Sequence, residues 1–467
     1  MKKAIDLYRL CDNRSSGFGL MGLILVLSLV IVIFFGAYQF FYISSPSVKG
    51  IEAFNYIPAE KTISLTGENI QSIDIYIYQD GRQINILQDL PETESKSYSL
   101  QIKPKAMGIK DGKASVSIKA RAGMIKKVQY DIETVIDTVP PAIDVVAAPQ
   151  YISPGGGGFS ILKASGEDSV FIKVVDRMKH GDDKIFKAFS ISSGTDLSDD
   201  TSGQNSNTMQ HKGKHSVNTY YAFFPAIYDI NDGSVFYAVA TDIAGNQNIR
   251  ALPTRLKMIK YTTSSINIDE QFINRVVSPL LNETNLPDPA GAFKKVNEEL
   301  RKQSLNRLIE ISKQTEPRIL WEGSFLQLKN SKVMATYGDR RTYFYDGTPI
   351  SKSVHLGYDL ASLENAPVEA ANSGIVRFAE DLSIYGNTVI IDHGLGFMSL
   401  YGHLASISVQ VGQSVSKGEI IARTGATGLA GGDHLHFGLL MHGYEVSPLY
   451  WWDPHWIRVN VTDYLRQ

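Results

Sequence analysis

Cysteine is almost absent from this chain of 467 residues, since only Cys11 is present. A single cysteine excludes an intrachain disulfide, so a metal site must draw its ligands from histidine, aspartate or glutamate. Cys11 precedes the long apolar run near the N-terminus and therefore does not fit a lipoprotein acylation site. Its lack of a partner fits the reducing cytoplasm.

An excess of charge is also lacking, because 46 basic and 48 acidic residues leave a formal net charge of −2. No basic patch with interleaved aromatic residues stands out, and the sequence therefore predicts no nucleic-acid partner. The chain contains no His-Glu-x-x-His segment, which excludes the helical zinc-peptidase design. It also contains no Gly-x-Ser-x-Gly segment, which excludes the nucleophile elbow of serine hydrolases.

One long apolar run lies near the N-terminus, where no charged residue occurs from Gly17 to Ile43. A helix needs about 20 apolar residues to cross a bilayer core. The run is longer than the core of a signal peptide, and no small-x-small cleavage site follows it. We interpret residues 1–45 as a cytoplasmic tail and an uncleaved membrane anchor, with a buried helix of a soluble domain as the alternative.

The charges ahead of this run predict its orientation. Basic residues outnumber acidic ones there: Lys2, Lys3, Arg9 and Arg14 stand against Asp6 and Asp12. An excess of basic residues marks the cytoplasmic side of a span. The predicted location is the inner (cytoplasmic) membrane, crossed once, with the C-terminal part extracytoplasmic or periplasmic.

Residues 48–136 alternate apolar and polar side chains in the manner of strands. Ile73, Ile75 and Ile77 alternate with Asp74 and two tyrosines, and an Asp-Gly turn follows. Several short strands separated by turn signals predict a β-sandwich-like module over residues 48–136.

A second β-rich module is predicted at residues 138–260. It begins at the paired prolines Pro140-Pro141, contains a strand at Ser234–Thr241 and ends near the turn Asp242–Asn246. These features resemble bacterial immunoglobulin-like modules. Neither β-rich module shows enzyme chemistry, so the two are interpreted as a spacer or a docking surface.

Two loops of the second module resemble sites but are interpreted as loops. Gly155–Gly158 lacks the lysine and the following helix of a phosphate-binding loop. His211 and His215 have metal-like spacing, but they lie in the polar stretch Ser192–Asn218 without a third ligand.

The apolar spacing becomes helical over residues 266–315. Ile268–Asn282 and Ala290–Ser312 carry apolar residues at steps of three and four, and Asp288-Pro289 is a favourable helix start. The pattern predicts two helices that form a short connector. Two interpretations remain open, namely packing against a neighbouring domain and a lid or regulatory element over the site that follows.

The segment Gly431–Gly438 carries the first candidate ligands. His434 and His436 lie two residues apart at the start of an apolar run that predicts a strand, Leu435–Met441. Side chains at this spacing leave the same face of a strand, so both imidazoles point into one space. A metal ion is a common reason for such a pair. A stacked or hydrogen-bonded pair without metal is the alternative.

Three further candidates precede that pair. His355 and Asp359 are four residues apart, a spacing that places both on one face of either a strand or a helix. His403 lies in Met398–Leu404, which predicts a hairpin with Val389–Gly394. A catalytic zinc uses three protein ligands and keeps one open position. Five candidates would therefore leave two imidazoles for proton transfer and oxyanion stabilisation.

Three of these motifs together resemble the lysostaphin-type, LytM-like zinc metallopeptidases that cleave peptidoglycan. The motifs appear in the family's order: His355-x-x-x-Asp359, Tyr401-x-His403-Leu404 and His434-Leu435-His436-Phe437. The resemblance implies a small antiparallel β metallopeptidase domain at residues 319–460. It also implies zinc bound by His355, Asp359 and His436, with His403 and His434 as the catalytic pair and no assignment of the principal base.

Other positions near these motifs carry weaker expectations. Arg340, in Tyr337-Gly338-Asp339-Arg340, and Asn387, after Gly386, are the predicted substrate contacts, and a structural salt bridge is the alternative for Arg340. Many relatives have glutamate where Gly438 stands and proline where Asp433 stands. His393 lies at a Gly-x-Gly turn and is expected to be exposed and without a role.

The expected fold is therefore mainly β, with the small antiparallel β domain behind β-sandwich modules, a helical connector and one transmembrane helix. The expected function is a membrane-anchored zinc endopeptidase that hydrolyses peptide cross-links of peptidoglycan. Expected partners are peptidoglycan, the membrane and cell-envelope or division proteins. Two alternatives stay open: a non-catalytic activator or scaffold for cell-wall amidases, and a zinc peptidase of a protein substrate.

Overall fold

The computed structural model of the chain describes residues 16–91, 95–176, 183–190 and 216–466. Cys11, His211, His215 and the charged residues ahead of the apolar run lie outside these residues. The chain is mainly β, with 45% strand and 21% helix, which confirms the expected fold class.

The chain divides into two compact units. The first comprises Met1–Pro140 and Ile243–Asn246, and the second comprises Pro141–Asp242 and Gln247–Gln467. The finer division predicted from the sequence, into two β modules, a connector and a C-terminal domain, stays a prediction.

The first unit begins with helix α1, Ser16–Phe41. Its part from Met21 to Phe41 is 21 residues long and, by length and composition, apolar enough to cross a membrane. The remainder of the unit contains eight strands, β1 to β8 in chain order: Ser47–Lys49, Tyr56–Ile57, Lys61–Glu68, Ser72–Gln79, Arg82–Asp89, Ser95–Ile102, Gly112–Ala122 and Lys126–Ile136.

These strands form two sheets, ordered β1-β3-β6 and β2-β8-β7-β4-β5. Strand β4 has alternate residues buried, and Ile73, Ile75 and Ile77 are all fully buried in the core of this unit. Because successive side chains of a strand point to opposite faces, the alternation seen in the sequence places one apolar row inside.

The described residues of the second unit begin with ten strands, β9 to β18 in chain order: Ala142–Ala147, Tyr151–Ile152, Gly157–Ser165, Ser169–Val175, Lys184–Lys187, Phe189–Ser190, Asn218–Pro225, Val235–Thr241, Gln247–Ala251 and Arg255–Leu256. Eight of them form two four-stranded sheets, ordered β14-β15-β11-β9 and β13-β12-β16-β17. Buried side chains from both sheets, including Leu162, Ile172 and Phe236, share one hydrophobic core. The immunoglobulin-like character of this part stays a prediction.

The connector contains two helical segments, close to the predicted bounds. The first runs from Glu270 to Leu281 and the second from Pro289 to Ser312, and each contains one π-helical turn. Asp288 caps the second segment, because its Oδ1 accepts a hydrogen bond from the Gly291 N–H at 2.9 Å.

The connector shares a hydrophobic core with the C-terminal part of the chain. Phe293, Val296 and Leu308 are fully buried and belong to the same core as Ile390 and Leu400. The interpretation of the connector as a packing element is therefore confirmed.

The C-terminal part contains strands β19 to β32 in chain order: Thr263–Ile268, Lys332–Ala335, Arg340–Tyr345, Thr348–Val354, Tyr358–Ala361, Pro367–Glu369, Gly374–Asp381, Asn387–Asp392, Phe397–Gly402, Leu404–Ile407, Ser414–Val415, Ile420–Thr424, Leu435–Met441 and Tyr444–Val446. An eight-stranded sheet runs in the order β20-β23-β31-β27-β26-β25-β29, with β32 also paired to β31. The pair β26 and β27 is antiparallel, which confirms the predicted hairpin.

His393 is fully buried, so the expectation of an exposed histidine was wrong. Its Nδ1 donates to the Ser373 carbonyl at 2.8 Å, and its Nε2 lies 2.8 Å from Ser399 Oγ. Burial lowers the pKa of His393 to about 4. The turn glycines gave no signal of this burial, because the covering side chains, such as Phe325, come from a distant part of the chain.

Candidate metal centre and active site

Strand β31 brings the site together because it lies between β23 and β27. In the strand register, His436 stands opposite Asp359 on one side and opposite Gly402 on the other. His403 immediately follows Gly402, and His434 immediately precedes β31 in a single bridge to Gly425. Residues from separate motifs therefore meet at one end of three neighbouring strands.

His355 and Asp359 meet for a reason that differs from the predicted one. His355 follows β22 and Asp359 lies within β23, so neither one strand nor one helix carries both. The chain bends between them at Gly357, where an added Cβ would lie only 2.5 Å from His436 Cε1 and Nε2. Glycine at this position leaves room for the His436 ring.

Three ligand atoms converge in this space. Asp359 Oδ1 lies 2.9 Å from His355 Nε2 and 3.1 Å from His436 Nδ1, and the two nitrogens are 3.1 Å apart. Bond lengths of about 2.0 Å around a tetrahedral zinc place its ligand atoms about 3.3 Å apart. The observed separations are close to that value.

The protonation of His355 also fits a metal site. Its Nδ1 lies 3.0 Å from the Thr336 carbonyl, which only accepts, so Nδ1 must carry the proton. Nε2 is then the nitrogen of this ring that is available to bind a metal. A second hydrogen bond that fixes the ring in this way is typical of metal-binding histidines.

The pKa values of Asp359 and His436 favour the forms of these two residues that bind a metal. Burial raises the pKa of Asp359, but the charge and hydrogen bond of His355 and the hydrogen bonds of His434 and His436 outweigh it, so the net pKa is well below its usual value. Burial lowers the pKa of His436 to about 4. A carboxylate and neutral imidazoles are the forms in which these residues bind a metal.

His403 lies beside the triad in a constrained backbone conformation. Its φ is +62°, in the left-handed region that non-glycine residues rarely adopt. Its N–H donates to the Tyr385 carbonyl at 2.7 Å, and its Nδ1 donates to the Thr427 carbonyl at 2.8 Å. Burial lowers the pKa of His403 to about 3, so this ring is neutral with an unprotonated Nε2.

His434 differs from His403 in its charge environment. Its Nδ1 donates to the Gly432 carbonyl at 2.8 Å, and its Nε2 lies 3.5 Å from Asp359 Oδ1. Burial acts to lower the pKa of His434, but the hydrogen bond and charge of Asp359 raise it overall. The rings of His403 and His434 are 4.9 Å apart between centroids, so one neutral and one more basic imidazole stand side by side.

Comparison with known proteins places these residues in a described family. The model of Peptidase family M23 matches residues 353–448, which include all five residues. Residues 353–448 form a peptidase family M23 domain. Residues before 353, which include the connector and strands β1 to β21, lie outside this match.

Individual relatives are similar to part of the chain. The chain is 34% identical over 120 residues to the peptidoglycan DD-endopeptidase ShyA of Vibrio cholerae, covering 25% of this chain and 27% of the relative. It is 38% identical over 95 residues to the murein hydrolase activator EnvC of Escherichia coli, covering 20% of this chain and 23% of the relative. The chain thus spans about a quarter of the length of these relatives.

A solved structure is also similar to part of the chain. The catalytic domain of the antimicrobial peptidase lysostaphin from Staphylococcus simulans is 28% identical, with a TM-score of 0.23. The match covers 27% of this chain and 96% of that domain.

The two predicted substrate contacts, Arg340 and Asn387, differ in environment. Arg340 is exposed, and its backbone N–H donates to Thr262. The Asn387 side chain donates to the Leu404 carbonyl at 3.2 Å, so it holds the strand that follows His403. Substrate binding by both residues stays a prediction.

Arg341, the neighbour of Arg340, was not among the site residues predicted from the sequence. Its Nη2 lies 3.3 Å from Asp359 Oδ2, and its Nε lies 3.1 Å from Asp339 Oδ2. Arg341 therefore binds the carboxylate oxygen that faces away from the histidines. Adjacent residues of a strand point to opposite sides. The alternation along β21 could therefore have indicated that Arg340 and Arg341 face different surroundings.

A buried pair behind the triad was also not predicted from the sequence. The Tyr385 hydroxyl donates to Glu445 Oε1 at 2.6 Å, and the Tyr385 ring lies 5.4 Å from the His436 ring. Burial raises the pKa of Glu445 to about 7. No local pattern joins these residues, which meet through tertiary packing.

The five residues line a cavity of about 240 Å³, here called the metal-side cavity. The connector and the strand before it supply one wall, with Ile268, Phe272 and Phe293. On the connector, Arg275 also donates from Nη2 to the Gly431 carbonyl at 3.0 Å, in the loop ahead of His434. The connector thus packs against the M23 domain and also borders the candidate site, while its regulatory role stays a prediction.

Replacing Gly357 with alanine should weaken metal binding by about 10- to 100-fold, the usual cost of disturbing the residues that orient a ligand. The new methyl group would overlap the His436 ring. Zinc affinity is measured by competition with a chromophoric chelator. Gly432→Ala is the matched control, because an added Cβ there has no neighbour within 4 Å. Equal affinities for the two variants would contradict this role of Gly357.

Proposed function

We propose that this protein is a membrane-anchored zinc endopeptidase that hydrolyses the peptide cross-links of peptidoglycan. The observation that carries the proposal is the convergence of His355 Nε2, Asp359 Oδ1 and His436 Nδ1 at separations of 2.9 to 3.1 Å. This convergence occurs within the segment that matches peptidase family M23. The substrate class is taken from the relative named as a peptidoglycan DD-endopeptidase.

In this proposal His355, Asp359 and His436 hold the zinc ion. Zinc supplies Lewis acidity, which polarises a scissile peptide carbonyl and makes water a stronger acid. Asp359 is kept ionised by its neighbours, and Arg341 binds its other oxygen, so the carboxylate is both charged and oriented.

His403 and His434 perform the proton transfers in this proposal. The Nδ1–H of His403 already donates a hydrogen bond to the Thr427 carbonyl. Its Nε2 is therefore free to accept a proton from the attacking water. His434 is the more basic of the two rings, which suits it to hold a proton and stabilise developing negative charge on the carbonyl oxygen. Phe272 and Phe293 supply an apolar part of the wall of the same cavity.

The proposal places Met21–Phe41 across the inner membrane as a single span. The M23 domain then lies on the extracytoplasmic side, in the compartment that contains peptidoglycan. Cell-envelope or division proteins are the proposed partners that position the enzyme there. The two β modules between the span and the M23 domain would act as a spacer or a docking surface.

The test uses the full chain purified in detergent and incubated with cross-linked peptidoglycan. We expect mass spectrometry to show cross-linked fragments converted to monomers, and elemental analysis to show about one zinc per chain. Removing zinc with a chelator should stop the cleavage, and adding zinc should restore it. Intact peptidoglycan together with cleavage of a defined envelope protein would instead favour a zinc peptidase of a protein substrate.

A second candidate function is activation or scaffolding of cell-wall amidases, favoured by the similarity to the murein hydrolase activator EnvC. Zinc content discriminates between the two functions. A folded sample that binds no zinc, cuts no cross-link and accelerates an added amidase would favour the activator. The five histidine and aspartate side chains within one cavity support the enzyme.

A further inference from the structure

A second, larger cavity of about 670 Å³ adjoins the metal-side cavity. Its wall is rich in cationic side chains from the connector and from the strands that lead into the M23 domain: Arg301, Lys302, Arg340, Arg341 and Lys352. Two acidic residues, Glu298 and Glu445, also line this cavity. We call it the cationic cavity.

Most of this positive charge is free of acidic partners. Arg341 is paired with Asp339 and Asp359, but Lys302, Arg340 and Lys352 form no ion pair with any residue that the structure describes. The carboxylates of the two acidic residues accept hydrogen bonds from hydroxyl groups of neighbouring side chains. Glu298 accepts a hydrogen bond from Ser351 and Glu445 accepts one from Tyr385, at 2.9 and 2.6 Å.

One cation of the cavity is held in place by a buried side chain. Arg301 donates from Nε to the Asn297 carbonyl at 3.1 Å and from Nη2 to Asn297 Oδ1 at 2.9 Å. Asn297 is only 1% exposed, and its Nδ2 donates to Ser351 Oγ and to the Lys352 carbonyl. The same asparagine thus ties the connector to β22 and fixes the guanidinium at the cavity wall.

The cationic cavity also meets the candidate metal centre. His355 and His436 line both cavities, and so do Arg301, Arg341 and Tyr385. A molecule that places an anionic group in the cationic cavity would therefore extend to His355 and His436. Arginine and lysine bind carboxylates through charge-assisted hydrogen bonds, which are about twice as strong as neutral ones.

We propose that the cationic cavity is a subsite for free carboxylates of an acidic peptide substrate, formed jointly by the connector and the M23 domain. This inference rests on the proposed function, because the peptide stems of peptidoglycan carry such carboxylates beside their cross-links. It adds the connector residues Arg301 and Lys302 to the predicted contact Arg340. The connector would then select the substrate as well as pack against the domain.

The test compares two synthetic cross-linked peptides, one with free carboxylates and one with the same groups amidated. For the full chain in detergent, we expect kcat/KM to be at least about 10-fold higher for the free acid, as expected for one charged hydrogen bond. The double variant Lys302→Glu with Lys352→Glu should lose this preference through KM, with kcat changed less than about 2-fold. Lys294→Glu, on the connector but outside the cavity lining, should keep the preference.

Calorimetric titration with synthetic samples of the two cleavage products, the acid and the amidated one, separates this inference from the proposed function. Tighter binding of the acid product than of the amidated product supports the subsite even if neither peptide is cut, in which case the proposed peptidase function fails alone. Cleavage of both peptides with equal kcat/KM, together with equal binding of their products, overturns the subsite and leaves the peptidase function standing.

Discussion

Replacing His436 with alanine is expected to remove bound zinc. Cleavage of cross-linked peptidoglycan should also fall by at least about 10³-fold, which is the upper end of the effect of removing one group that stabilises a transition state. Its Nδ1 lies 3.1 Å from both Asp359 Oδ1 and His355 Nε2, so the remaining two ligands cannot close the site. Zinc per chain and the rate of monomer release are measured on the same sample.

The controls for this variant separate lost metal from lost fold. His436 is 5% exposed, so its truncation leaves a cavity, and His436→Gln keeps most of the volume. His455→Ala removes an exposed histidine outside the metal triad and should keep zinc and activity. Undiminished zinc content and cleavage in a folded His436 variant would contradict the assignment of this residue as a ligand.

Replacing His403 with asparagine is expected to lower kcat by about 10²- to 10⁴-fold while zinc content is unchanged, because general acid–base catalysis contributes on this scale. Asparagine suits the test because it tolerates the left-handed conformation better than alanine, so φ of +62° is kept at low cost. Its amide can also donate to the Thr427 carbonyl, which accepts from His403.

A matched control is available within the same domain. His442 is half-buried and also left-handed, with φ of +51°, and its Nε2 lies 3.0 Å from the Phe223 carbonyl, outside the metal triad. His442→Asn should therefore reduce stability without a selective loss of kcat. If the His403 variant instead lost zinc, His403 would be a ligand, and if it kept full activity, the proton-transfer role would be wrong.

The connector cannot be removed without loss of packing, because it shares a hydrophobic core with the C-terminal part of the chain. A chain shortened to begin near residue 320 would remove any lid formed by the connector. It would also lose Phe293, Val296 and Leu308 from a core that they share with Ile390 and Leu400. An activity change in that chain would mix exposure of the cavity with damage to the fold. Substitutions at the cavity wall, such as the charge reversal of Lys302 and Lys352, avoid this ambiguity.

Short-range patterns in the sequence predicted much of the fold and the residue types of the site. The alternation of Ile73, Ile75 and Ile77 predicted a strand, and the Asp288 cap predicted a helix start, because both depend on neighbours within a few residues. The spacing of His434 and His436 predicted one shared face, and both rings lie within 3.5 Å of Asp359. Their roles in catalysis stay predictions.

By itself, the sequence determined the apolar N-terminal helix, the mainly β architecture and the set of histidines and aspartate available for a metal. Only the tertiary structure decided which atoms meet. The bend at Gly357 brings His355 to Asp359, strand register sets His436 opposite Asp359, and packing buries His393. The physical reason is that residue type and periodicity are local properties, whereas these distances depend on how segments far apart in the chain pack together.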